Sequence, residues 1–215
     1  MADFTTAQQY VKVAEGGYST DVNDAGNYNN FDKSTTFVGT NFGISAPTLS
    51  AYLGRPATAA DMQALTYDTA LAIYKKNYWD AVNGDSIQNQ SIALMCYDSA
   101  VNQGVGAISS MVSDTLGIPV SIPFSQNVVS AINNYPDQQD LFNKLSQARI
   151  DRYSSEGFGS AFINRVQGII FDATQAVTDK VKKNPLLTIA IITTLVAITF
   201  GIIYRKKITK LFNKI

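Results

Sequence analysis

The sequence predicts a mainly α-helical domain with a small irregular or β lobe near its N-terminus, followed by a single C-terminal transmembrane helix. Three observations carry this expectation. From Pro47 to Phe171 apolar residues recur at helical spacing, run after run, each bounded by a capping or breaking residue. Across residues 16–46 the pattern is lost, and Gly, Asn, Asp, Ser and Thr dominate. From Leu186 to Tyr204, 19 residues pass without one charge, close to the length a helix needs to cross a bilayer.

The elements follow in order. Residues 4–15 read as a helix with Phe4, Tyr10, Val11 and Ala14 on one spacing, Thr5 or Thr6 as its cap, and Gly16-Gly17 as its break. The asparagine-rich stretch after it predicts an irregular lobe with a small hairpin around Thr35–Gly39. Short helices are expected at Pro47–Tyr52 and Ala59–Ala64. Thr66 caps a longer one, Tyr67–Trp79, on which Ala70, Leu71, Tyr74 and Tyr78 share a face. The apolar run Ile92–Tyr97 marks residues 87–101 as the buried central helix, with Asp98 and Asn102 four residues apart and facing the same way. Further helices are expected over Val105–Leu116, stopped by Gly117 and Pro119, over Phe124–Asn133, over 137–155 and over Phe162–Phe171. Cys96, Met62, Met95 and Met111 are expected in the core. The domain organisation that results is a helical domain at 1–173, a tether at 174–185, the span at 186–204 and a basic tail at 205–215.

Charge and composition narrow the chemistry. The 17 basic and 17 acidic side chains cancel over the whole chain, but Arg205, Lys206, Lys207, Lys210 and Lys214 all follow the apolar run. The part before the span is therefore net acidic, which argues against nucleic acid as a partner. No histidine is present and Cys96 is the one cysteine. That removes internal disulfides, histidine-based triads and metal sites built on His or Cys, so no cofactor or metal is expected. Pro185 suits the first turn of the span, Tyr204 its interface, and the basic residues after it favour a cytoplasmic tail with the domain on the other side. The acidic, polar N-terminus predicts no signal peptide.

Carboxylates are the acid and base groups that remain. Glu15 closes the first expected helix just before Gly16-Gly17-Tyr18. A helix C-terminus disfavours negative charge and raises a carboxyl pKa, as a general acid requires. Spacing alone does not separate this from a solvated glutamate beside an ordinary cap. Asp21, Asp24 and Asp32 follow in the lobe, and Tyr18, Tyr28, Phe42 and Tyr97 offer faces on which sugar rings can stack. Two acids flanking a glycosidic bond, one to protonate the leaving oxygen and one to direct water or balance positive charge, form the usual constellation for sugar hydrolysis.

Glu15-Gly16-Gly17-Tyr18 followed by Gly39-Thr40-Asn41-Phe42-Gly43-Ile44 resembles the opening signature of glycoside hydrolase family 108. Ile73 to Asp80, Asp98 to Gly104, Arg149 to Tyr153 and Phe162 to Val166 are also similar to that family, so the likeness covers roughly residues 5–170. The resemblance implies a lysozyme-like helical fold that cleaves the β-1,4 bond between N-acetylmuramic acid and N-acetylglucosamine. It makes Glu15 the catalytic acid and sets Tyr18, Thr40, Asn41 and Gly43 in the cleft. Asp98 and Asn102 are expected to brace the substrate site from the central helix. The asparagine-rich stretch from Asn27 to Phe37 departs from the family pattern. The second acid is therefore assigned first to Asp24 and next to Asp32, which otherwise lines the substrate site.

The expected partners are peptidoglycan glycan strands, the lipid bilayer through residues 186–204, and virion structural proteins. A muramidase carrying a C-terminal anchor suits a virion protein that opens the host wall from an internal viral membrane. A lysis or secretion-assisting muramidase acting from the host inner membrane, with its catalytic domain outside, is the second reading. An inactive, membrane-anchored wall-binding or structural protein is the third.

Overall fold

The computed structural model describes residues 1–11 and 17–172. The expected tether, span and tail lie outside the described residues, as does Glu15 with Gly16. Among the described residues no helix is long and apolar enough to cross a membrane. Met1–Phe171 form one compact unit, and it is mainly α-helical: α1 (Phe4–Gln8), α2 (Ala46–Leu53), α3 (Ala59–Gln63), α4 (Tyr67–Tyr74), α5 (Gln90–Gln103), α6 (Val105–Leu116), α7 (Gln126–Asn134), α8 (Gln138–Ser155) and α9 (Ser160–Gln167).

The central helix is α5. Asn89 caps it by accepting from the N–H groups of Ser91 (2.9 Å) and Ile92 (3.1 Å). Every residue from Ser91 to Ala100 is then buried, as expected of a helix surrounded on all sides. Helices α6 and α8 pack along it, with α9 against α8. Leu141, Phe142, Leu145, Arg149 and Tyr153 are the buried residues of α8. Cys96, Met62, Met95 and Met111 are all buried.

The first helix is shorter than its apolar spacing suggests. It ends at Gln8, and Asp3 rather than a threonine is its cap, accepting from the Thr6 N–H and the Thr6 hydroxyl at 2.7 Å each. Aspartate is a strong cap, whereas Thr5 and Thr6 inside the helix are poor helix formers. The dipole argument for Glu15 needs an unbroken helix to residue 15, and it loses that premise here. A backbone bond from Ala2 N to Ile87 O (2.8 Å), and the Gln90 carboxamide, which accepts from Asp3 N and donates to Asp3 O, fasten α1 to the start of α5. Phe4 stands edge-on to Trp79 and Tyr97, both 5.7 Å away between ring centres.

After α4 the chain widens into one π-helical turn, Lys75–Trp79, closed by the bond from Asp80 N to Lys75 O (2.8 Å). It seats Trp79 fully inside, with its indole N–H on Asp85 at 2.7 Å.

Residues 17–45 form an irregular lobe. Among the described residues there are only isolated bridges, Ser19 with Thr40, Tyr28 with Phe37 and Asn41 with Ile44, so the expected hairpin around Thr35–Gly39 does not extend into a ladder. The reason is local competition. Asp21, Asp24 and Asp32 each turn back to accept the N–H two residues on, at 2.8 Å. Asn27 is buried and donates to Asp21 O (2.7 Å), while its own carbonyl takes the N–H groups of Val38 and Gly39. Asn29 is tied to α2 through Ser50 (2.8 Å) and to Ala57 O (3.3 Å).

Two apolar clusters result. One fills the helices around α5; the other gathers Val38, Ile44, Leu49, Met62, Ile73 and Tyr74 under the lobe. Phe4, Tyr78 and Val101 pack against both.

Candidate active site

The site is built where the lobe meets α4 and α5. Glu15 itself lies outside the described residues. Its described flanks are Val11, buried in the helical core, and Tyr18, packed against the lobe core. The next residue, Ser19, exchanges both backbone bonds with Thr40, at 2.7 and 3.4 Å. The segment that follows Glu15 is thereby paired with the second motif, Gly39–Ile44.

That motif needs its glycines. Gly39 has φ +89°, and a Cβ there would run into the Tyr18 ring, whose hydroxyl donates to Val38 O at 2.8 Å. Gly43 has φ +72°, and a Cβ would stand 2.5 Å from the Tyr74 hydroxyl oxygen. Between them Phe42 also takes a left-handed conformation, φ 49°, and its ring meets Tyr67 edge-on at 5.8 Å. Asn41 is buried and donates to Met62 O at 3.0 Å, which pins the motif to the end of α3. Its carboxamide oxygen and the Thr40 hydroxyl are buried without a hydrogen-bond partner.

The two lobe acids differ. Asp24 is exposed and caps the short turn Ala25–Asn27, using one oxygen on Gly26 N. Asp32 is exposed and accepts from both the backbone N–H and the hydroxyl of Ser34. Those bonds, the backbone one first, hold its carboxyl below the usual range and favour the charged form.

Asp98 and Asn102 sit on α5. Asn102 donates to the carbonyl of Asp98 (2.7 Å). The Asp98 carboxylate is buried and fully engaged: Arg149 Nη2 meets one oxygen at 2.7 Å, and Arg165 Nε and Nη2 meet the other at 2.9 and 2.6 Å. It ties α5, α8 and α9 together.

Tyr74 and Tyr78 were not singled out as site residues by the sequence. Tyr74 reaches toward Phe42 O (3.4 Å), and burial pushes its hydroxyl up to about 12, so it stays a neutral phenol. Tyr78 is shifted the same way by burial, opposed by a bond with Thr48. Tyr97, expected to offer a face to a sugar ring, is instead fully buried in the helical core, where its neighbours leave no surface for a ligand; its hydroxyl donates to the Gln8 carboxamide oxygen, leaving Gln8 Nε2 buried without a partner. The helical face shared by Tyr74 and Tyr78 was visible; that it would lie under Gly43 was not. Among the described residues no group of three or more Cys, Asp or Glu side chains could hold a metal ion.

Residues 8–104 match the glycosyl hydrolase 108 family, a segment that takes in both glycine motifs and all of α5. Among solved structures the chain is similar to SagA of Brucella abortus, with 26% identity over 77% of this chain and 90% of that one, and a TM-score of 0.60. Among curated proteins none matches the chain. Residues 8–104 are thus a glycosyl hydrolase 108-like domain, carried in a mainly helical unit similar in fold to SagA.

Proposed function

We propose that this protein is a peptidoglycan hydrolase, a muramidase that cleaves the β-1,4 bond between N-acetylmuramic acid and N-acetylglucosamine. The observation that carries the reading is the glycosyl hydrolase 108 match across residues 8–104, which spans Glu15-Gly16-Gly17-Tyr18 and Gly39–Ile44. The pairing of Ser19 with Thr40 supports treating those two motifs as one site.

In this reading the glycan lies against the lobe. Glu15, protonated, gives its proton to the bridging oxygen as the glycosidic bond breaks. Asp24, exposed and with one carboxylate oxygen not spent on its turn, directs water or balances the developing positive charge on the ring. Asp32, whose charged form its turn favours, adds negative potential beside it. Tyr18, Thr40, Asn41 and Gly43 shape the cleft wall. Asp98 acts from beneath it by holding α5, α8 and α9 in register, and Asn102 bonds to the Asp98 carbonyl within α5.

The proposal extends to location. Residues 186–204 anchor the enzyme in a membrane, the basic tail 205–215 fixes its orientation, and 174–185 tether the domain. The enzyme then works on the wall beside a lipid layer, in a virion with an internal membrane.

The test is Glu15→Gln in the full-length chain, assayed in detergent by zymogram and by clearing of cell walls. Wall clearing should fall by about 10²–10⁴-fold while the melting temperature stays put. Unchanged clearing would remove Glu15 from catalysis. Purified virions should carry the protein in their lipid fraction; finding it solely in host membranes would move its action to lysis.

A further inference from the structure

The buried cluster on α5, α8 and α9 does not balance. One carboxylate, Asp98, faces two guanidinium groups, Arg149 and Arg165. Arg149 is wholly enclosed, and its other donors go to Gln103 Oε1 and Met95 Sδ, at 3.2 Å each. It is spent within the fold. Arg165 is different: its side chain is 32% exposed, against 2% for Asp98. It places Nε and Nη2 on a single oxygen of Asp98, and among the described residues Nη1 has no hydrogen-bond partner. Asp98 thus holds the fork rigid without neutralising it, because its other oxygen already belongs to Arg149. Among the described residues the other groups that act on Arg165 electrostatically are Tyr153 and Tyr74, neutral phenols that bring no compensating charge.

The position of this surplus charge matters. Val101, three residues beyond Asp98 on α5, packs against both the helical core and the lobe core, which places the Asp98–Arg165 pair beside the junction of the two. The open edge of Arg165 therefore sits near the seam between the helices and the Gly39–Ile44 motif. A fixed, half-desolvated cation binds an anion more strongly than a mobile surface lysine does, because its ordering cost has been met in advance. One free N–H edge suits a small planar monoanion rather than a polyphosphate.

We propose that Arg165 is a binding site for carboxylate groups carried by the glycan substrate, which makes it a residue that prefers charged wall polymer over neutral polymer. This rests on the muramidase reading. Peptidoglycan offers such carboxylates from two sources, the stem peptides and the lactyl ethers left bare when a stem is removed.

The experiment measures binding of the full-length Glu15→Gln protein, in detergent, to three preparations of wall sacculi. They are native sacculi, sacculi with carboxylates capped as amides, and sacculi stripped of stem peptides by an amidase. Native sacculi should bind about tenfold more tightly than capped ones at low salt, with the gap narrowing as salt rises. Adding Arg165→Gln should close that gap, and Arg165→Lys should restore part of it. Lys207→Gln in the tail sets the effect of removing one exposed charge, which the Arg165→Gln loss should exceed. Preference kept after stem removal assigns the lactyl carboxylate; preference lost assigns the stem. Equal binding to native and capped sacculi overturns the proposal without needing any Arg165 variant to fold. So does an Arg165→Gln loss of the same size on both. Failure of the parent protein to clear walls would instead sink the muramidase reading and leave this comparison intact.

Discussion

The helices around α5 and the lobe at residues 17–45 are held together in different ways. The helical part relies on burial: ten consecutive residues of α5 are enclosed, and even its charges, Asp98 and Arg149, are inside. The lobe relies on backbone conformation. Asp21, Asp24 and Asp32 fold back on their own N–H groups, and Asn30, Phe31 and Phe42 accept positive φ. Damage in the helical part should therefore appear as lost stability. Damage in the lobe should appear as lost shape, hence lost activity at nearly unchanged stability.

The sharpest way to break this contrast is at Asp98. Asp98→Asn leaves Arg149 buried without a counter-charge and should cost about 3–5 kcal/mol, read as a lower urea midpoint. A midpoint within experimental error of the parent would show that the cluster is not what holds α5, α8 and α9 together. Gly39→Ala should act the other way. The left-handed backbone and the Tyr18 ring together resist a Cβ, with a cost of about 1–2 kcal/mol. Wall clearing should fall more than tenfold, well beyond what that loss predicts. If clearing survives, the pairing of the two motifs is not needed for activity.

The smallest effect is on pH dependence. Burial raises the Tyr74 hydroxyl from 10.0 to about 12 and the Cys96 thiol from 9.0 to about 12. A group raised in the folded state contributes stability that is complete below its unfolded value and fades as pH climbs to the folded one. The domain should hold its melting temperature up to about pH 9 and lose it between pH 9 and about pH 12. Tyrosinate absorbance and thiol-reagent uptake should appear together with unfolding. In acid the sign reverses for Asp32, whose carboxyl its Ser34 bonds hold below its ordinary value of 3.8. Its contribution is complete above that value and goes as pH falls through the folded one. Free reaction of Cys96 in the native protein would contradict an enclosed α5.

Most helices could be read along the chain, and the reason is visible at α5 and α6. Asn89, Gly104 and Gly117 punctuate apolar runs whose period is local. Where local signals competed, the reading slipped. Thr5 and Thr6 looked like caps until Asp3 took the role, and the apolar spacing through Val11 and Ala14 promised a longer α1 than the described Phe4–Gln8. The lobe hairpin failed for the same reason, since the Asp32 side chain took the Ser34 N–H and the Asn27 backbone carbonyl took those of Val38 and Gly39, groups that a ladder would have used.

What the sequence alone determined is the division into a helical domain, a polar lobe and a charge-free run, together with the two glycine motifs, because periodicity and composition act between near neighbours. Only the tertiary structure decided that Ser19 pairs with Thr40, that Tyr74 lies under Gly43, and that Asp98 is shared by Arg149 and Arg165. The last of these joins residues 51 and 67 positions apart. Contacts at that separation form when helices dock and exclude water, and no local spacing encodes which buried charge will meet which.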